Sequence, residues 1–112
     1  MEKVNYPGLK THKGHEIAAR QMKDFGGMLS FEVRGGRAAG TKLVNALKLI
    51  TVAVSLGDAE TLIEHPASMT HSTYTAEELE ASGIPAGLIR LSVGLENVED
   101  IIVDLRQALD AL

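Results

Sequence analysis

Two stretches of the chain alternate apolar and polar residues with the period of two that strands require. In MLSFEVR (28–34), Leu29, Phe31 and Val33 alternate with Ser30, Glu32 and Arg34. In LIRLSVGL (88–95), Ile89, Leu91, Val93 and Leu95 form one face, and Leu88, Arg90, Ser92 and Gly94 the other. Elsewhere the spacing is helical. A short helix starts near Lys13, with Ile17, Ala18, Gln21 and Met22 on one side, and ends at Phe25-Gly26-Gly27. TKLVNALKLI (41–50) presents Leu43, Val44, Leu47 and Ile50 at helical spacing after the glycine-rich turn GGRAAG. NVEDIIVDLRQALDAL (97–112) is the clearest helix, capped by Asn97, with Val98, Ile101, Ile102, Leu105 and Leu109 as its apolar stripe.

Between these lie a short apolar segment, VAVS (52–55), and a turn-rich stretch, 56–75, read as a loop with one short strand. AEELEASG follows as a one- to two-turn helix stopped by Gly83, with Glu77, Glu78 and Glu80 on a solvated face. Residues 1–12 read as a connector turned at Tyr6-Pro7-Gly8, and residues 13–112 as one domain. The order predicts an α+β fold: a small, mainly antiparallel sheet with helices packed on one face. Ser30, Glu32, Arg34, Arg90 and Ser92 would share the other face, open to a partner.

Composition narrows the function classes. The 112 residues are 45% apolar and 23% charged, enough for one domain with a real core. A net charge of −4 and only two Tyr, two Phe and no Trp argue against nucleic acid, which wants a positive face and stacking platforms. No run approaches the ~18 apolar residues of a membrane span, and no basic, apolar leader opens the chain. The absence of cysteine excludes disulfides and thiolate metal sites. A cytoplasmic location follows by elimination.

Several motifs fail on their own chemistry. GGRAAGTK (35–42) follows a strand and opens a helix, but Thr41 precedes Lys42, the reverse of a phosphate loop. His15-Glu16 begins like a zinc-binding helix, yet position 19 is Ala19. His65 and His71 share a loop without a convincing third ligand, and read as satisfied loop histidines. Ser68, His71 and Asp58 make a triad only on paper, because no nucleophile elbow is present. Nothing intrinsic to the chain completes a catalytic site.

Arg90 stands out within its strand. Spacing alone leaves two readings open: a side chain pointing to water from a half-exposed sheet, or a planar fork facing a cleft and matched to a carboxylate.

Three stretches bear on the choice: VNYPGLKTHKGHEIAARQMKDFGGMLSFEV, AVSLGDAETLIEHPASMTHS and GLIRLSVGLENVEDIIVDLRQAL. Together they resemble the C-terminal portion of the pyridoxal-phosphate enzymes of cysteine and methionine metabolism, over essentially the whole chain. That family includes the cystathionine synthases and lyases and the methionine gamma-lyases, and the similarity is strongest to the last. The resemblance implies the C-terminal domain of a fold-type-I enzyme. It assigns Arg90 the grip on the substrate's α-carboxylate, with Ser55 beside it on the same group. Val54 matches a position where cystathionine enzymes carry glutamate, and a valine leaves the pocket apolar, suiting a thioether ending in methyl.

The full enzyme implied would catalyse α,γ-elimination of L-methionine to methanethiol, 2-oxobutanoate and ammonia, using pyridoxal phosphate. The family's cofactor lysine lies in a Ser-x-x-Lys motif of an N-terminal domain, and none of Lys3, Lys10, Lys13, Lys23, Lys42 or Lys48 has a serine three residues before it. The chain alone is therefore expected to bind no cofactor and to be inactive, with Met1 fitting an internal start. Its expected partners are a sulfur amino acid, the cofactor domain and further copies of itself. Three other readings stay open: a cystathionine lyase- or synthase-type domain, a standalone module associating through its bare sheet face, and a sensor that binds an amino acid through Arg90 without cofactor.

Overall fold

The computed structural model describes residues 3–112, so Met1 and Glu2 lie outside the described residues. The elements in chain order are β1 (Lys3–Asn5), α1 (His15–Gln21), β2 (Met28–Glu32), α2 (Gly36–Ala46), β3 (Thr51–Val52), β4 (Leu62–Glu64), α3 (Ala76–Ala81), β5 (Leu88–Ser92) and α4 (Val98–Asp110). The strands form one sheet in the order β1-β2-β5-β4-β3. It is mixed but mostly antiparallel, with β3 and β4 parallel. The fold is α+β.

Strand register sorts the side chains into two faces. Val4 pairs with Phe31, Phe31 with Ile89, and Leu91 with both Leu29 and Ile63. This face packs with Leu43 and Val44 of α2 and with Ile101 and Ala108 of α4 to form the core. Leu43, Ile63 and Ile89 are fully buried. Each contributes about 2–3 kcal/mol by leaving water.

The elements depart from the sequence pattern in ways with clear causes. Lys3–Asn5, inside the expected connector, adds an edge strand; three residues with one apolar side chain show no alternation. Helix α2 starts five residues earlier than the spacing predicts, because Gly35 and Gly36, at φ 96° and 62°, make the turn by themselves. The helix also stops at Ala46, before the predicted end. The backbone amides of Lys48, Leu49 and Ile50 instead donate to the carboxylate of Asp104, at 2.8–2.9 Å. Asp104 belongs to α4, so a charged residue in the middle of that helix is buried as a cap for another element.

The buried line of α4 accordingly runs through Ile101, Asp104 and Ala108. Leu105 and Leu109 flank it, whereas Val98 and Ile102 of the predicted stripe are exposed. Asn97 caps α4 as expected, accepting from the amides of Glu99 and Asp100. In α3, Glu78 is more than a solvated acid: it forms a capping box with Thr75.

Strand β5 ends at Ser92. Val93 and Leu95, expected on the apolar face, are exposed, Leu95 at 86%. Ser92, expected on an open face, is buried and accepts from the amide of Gly57. Just beyond, the Glu96 carboxylate takes the Thr61 hydroxyl at 2.6 Å and the Thr61 amide at 2.7 Å, tying the entry of β4 to the exit of β5. The second sheet face is not bare. Loops beside α1 and α3 rim it and leave an open cavity above the strands.

Candidate functional site

The polar face of the sheet carries one row of side chains in register across four strands. Asn5 of β1 pairs with Ser30 of β2, Ser30 with Arg90 of β5, and Arg90 with Glu64 of β4. The row is the floor of a cavity of about 650 Å³. Met28, Leu88, Pro66 and Ile84 add apolar walls, while His12, Thr70 and His71 add polar ones. Asn5 donates to the Ser30 hydroxyl at 3.1 Å, so the segment read as a connector supplies part of the floor.

Arg90 is held from one side. Its Nη2 lies 3.0 Å from Oε2 of Glu64 and donates to the carbonyls of Val54 and Ser55, at 2.9 and 3.0 Å. No bond within the described residues uses Nη1 or Nε. Glu64 itself is buried, 3% exposed, and its Oε1 accepts from the Thr70 hydroxyl at 2.7 Å. Because that hydroxyl proton goes to Glu64, the Thr70 oxygen is left to accept from Nδ1 of His71, 2.9 Å away. The polar chain therefore runs His71 to Thr70 to Glu64 to Arg90.

The loop that delivers Thr70 is organised by His65, which is fully buried. The Ala86 carbonyl, which can only accept, fixes a proton on Nε2 at 2.8 Å; Nδ1 then accepts from Ser68 at 2.7 Å. Burial holds the imidazole pKa below its ordinary value, aided by the Arg37 charge, against the bond to Ala86. His65 is thus a neutral, structural group. Arg37 reaches over to the carbonyl of Ala67 in the same loop. Helix α2 approaches the ring so closely that a Cβ on Gly40 would lie 2.4 Å from Nε2. Gly40→Ala is expected to cost about 1–3 kcal/mol through overpacking. A lowered urea midpoint checks this, and an unchanged one contradicts it.

The three residues singled out by resemblance meet, but not through their side chains. Arg90 lines the cavity, whereas Val54 and Ser55 do not line it and accept from Arg90 through their carbonyls, and the Val54 side chain is exposed. Glu64, Thr70 and Asn5 are cavity residues that the sequence did not reveal as a set. His15 stacks on Phe25 and its Nδ1 bonds the Pro7 carbonyl, an architectural role. Among the described residues, no group of three or more metal-ligating side chains converges, and no helix is long and apolar enough to cross a membrane.

In chemical terms, the cavity offers a fixed guanidinium edge beside apolar walls. That combination suits a small carboxylate with an apolar tail. No lysine lines the cavity, so these residues do not fit an aldehyde cofactor bound as a Schiff base.

Comparison with known proteins shows the family. A family model described as Cys/Met metabolism PLP-dependent enzyme matches residues 1–110. An L-methionine gamma-lyase of Fusobacterium nucleatum subsp. polymorphum is 69% identical over 112 residues, covering 100% of this chain and 28% of that protein. A cystathionine gamma-synthase of Mycobacterium leprae is 52% identical, covering 96% of this chain and 27% of that protein. A solved cystathionine gamma synthase from Xanthomonas oryzae pv. oryzae, in complex with aminoacrylate and cysteine, superposes with a TM-score of 0.85 at 55% identity. That match covers 96% of this chain and 28% of the other. The chain thus spans little more than a quarter of the length of these relatives, and over that span it belongs to the pyridoxal-phosphate-dependent enzymes of cysteine and methionine metabolism.

Proposed function

We propose that the chain is the substrate-recognising C-terminal domain of a methionine gamma-lyase-like enzyme. The reaction is the elimination of methanethiol from L-methionine, with water completing the conversion to 2-oxobutanoate and ammonia. Arg90 receives the α-carboxylate on its remaining N–H groups, at Nη1 or Nε, and Ser55 lies beside the same group. A region outside this chain supplies the cofactor and its lysine, and the domain works as part of a homo-oligomer in the cytoplasm.

The observation that carries this reading is the one-sided hold on Arg90. A guanidinium held through Nη2 keeps its charge and separate N–H donors at Nη1 and Nε for a carboxylate, and it is held in place before the ligand arrives. Val54 supports a methionine-type substrate over cystathionine, because a valine offers no charge to a distal amino group. The cystathionine enzymes remain the second reading, favoured by the 0.85 TM-score to a cystathionine gamma synthase.

The test is an assay of 2-oxo acid from methionine with pyridoxal phosphate present. The full-length enzyme containing this chain is expected to turn over, and the chain alone to give none. Sustained turnover by the chain alone contradicts the division of labour. A full-length enzyme that forms cystathionine and ignores methionine favours the second reading.

A further inference from the structure

We infer that Glu64 is the positioning residue for Arg90 and sets how strongly that arginine attracts the substrate's carboxylate. The inference rests on the reading of Arg90 as the carboxylate-binding group.

Glu64 and Arg90 are direct cross-strand partners on β4 and β5, so backbone register alone brings the two side chains together. Their environments differ. The Glu64 side chain is 4% exposed and that of Arg90 is 28% exposed. A carboxylate this deeply placed demands both a counter-charge and hydrogen bonds. Arg90 provides the first at 3.0 Å, and Thr70 occupies the other oxygen at 2.7 Å. Swinging Arg90 away would strand a buried charge, so Glu64 keeps the guanidinium in the cavity floor. The carbonyls of Val54 and Ser55 fix its tilt.

Glu64 also has an electrostatic effect of the opposite sign. It lines the same cavity as Arg90 and places a negative charge within reach of any carboxylate that docks on Arg90. Arg90 is therefore oriented and partly neutralised by one group. Orientation favours substrate binding, and the added negative charge limits it, which suits an enzyme that must release an acidic product.

These two effects separate in variants of the full-length, cofactor-loaded enzyme. Glu64→Gln keeps an oxygen for Arg90 and removes the charge. KM for methionine is then expected to fall about threefold to tenfold relative to KM for methionine methyl ester, which carries no carboxylate charge. Glu64→Leu removes the anchor as well, and the same ratio is expected to rise about tenfold. Should Glu64→Leu not fold, Thr70→Val loosens Glu64 without altering charge, and the ratio is expected to rise about threefold.

A residue serving stability alone would move acid and ester together. Ratios unchanged in Glu64→Gln and in the loosening variant, or shifted in the same direction by both, overturn the inference. Arg90→Lys distinguishes the two levels of the argument. If it leaves the acid-to-ester ratio at the wild-type value, the reading of Arg90 has failed and the role of Glu64 falls with it. If it raises that ratio while the Glu64 and Thr70 variants do not change it, only the inference about Glu64 has failed.

Discussion

Arg90→Lys in the full-length, cofactor-loaded enzyme is expected to lower kcat/KM for methionine about a hundredfold. Lysine keeps the positive charge, so a simple Coulombic requirement would leave most of the activity intact. The structure demands more than charge. Two carbonyls accept from Nη2 and Glu64 pairs with it at 3.0 Å, which leaves the N–H groups of Nη1 and Nε for the ligand. One ammonium offers no second, rigidly placed edge: bound to Glu64 and the two carbonyls, it has spent its donors. The loss is expected mainly in KM where the carboxylate only binds. It spreads into kcat if the carboxylate also aligns the reacting bonds. Steady-state kinetics check this, and a change of less than about fivefold contradicts a role for Arg90 beyond its charge.

Asp104→Ala is the second large effect, and it concerns folding. The Asp104 carboxylate receives the amides of Lys48, Leu49 and Ile50 and the side-chain amide of Gln107. Removing it strips the buried Ile50 amide and the half-buried Lys48 and Leu49 amides of their acceptor, for an expected loss of about 3 kcal/mol, read as a lowered urea midpoint. Burial, the largest influence on this group, raises its pKa. The bonds from Ile50, Lys48, Leu49 and Gln107 outweigh it and hold the carboxyl below its ordinary value. A depressed carboxyl pKa adds stability above the unfolded value, near about pH 4, and that stability is lost as pH falls through the folded value. The gap between wild type and Asp104→Asn is thus expected to be widest near neutral pH and to close in acid. The Glu96 carboxyl, held low chiefly by the Thr61 hydroxyl, follows the same direction.

What could be read in the sequence depended on how far apart the cooperating residues stand. Strands β2 and β5 were legible because five-residue alternation is long enough to show a period, and their pairing puts Ser30 opposite Arg90. The α+β class followed from the order of elements. Strand β1 was not legible, since Val4 alone cannot define a face; its pairing with β2 supplies the missing information. Nor was the end of β5. Leu95 continues the apolar alternation, but the ladder stops at the Leu62–Ser92 pair, and the chain turns toward the loop carrying Ala59.

The candidate site divides in the same way. Arg90 attracted notice as a charge within an apolar strand, and the family resemblance gave it a task. Glu64 drew none, because it lies in an apolar run leading into His65-Pro66, and its partner is 26 residues away. Only the adjacency of β4 and β5 makes the pair. Asp104 was hidden similarly: it occupies a core-facing position of α4, and the amides it satisfies come from the end of α2. Buried polar residues of this kind are read from tertiary structure, since their partners are fixed by packing and not by local spacing.

The N–H groups of Arg90 that the domain leaves unused are expected to take the α-carboxylate. A crystal structure of the full-length, cofactor-loaded enzyme with a non-reacting methionine analogue tests it most directly. A carboxylate oxygen is expected within about 3 Å of Arg90 Nη1 or Nε, with the contact between Nη2 and Glu64 retained. A carboxylate bound elsewhere, with Arg90 still occupied only by Glu64 and the two carbonyls, would contradict it.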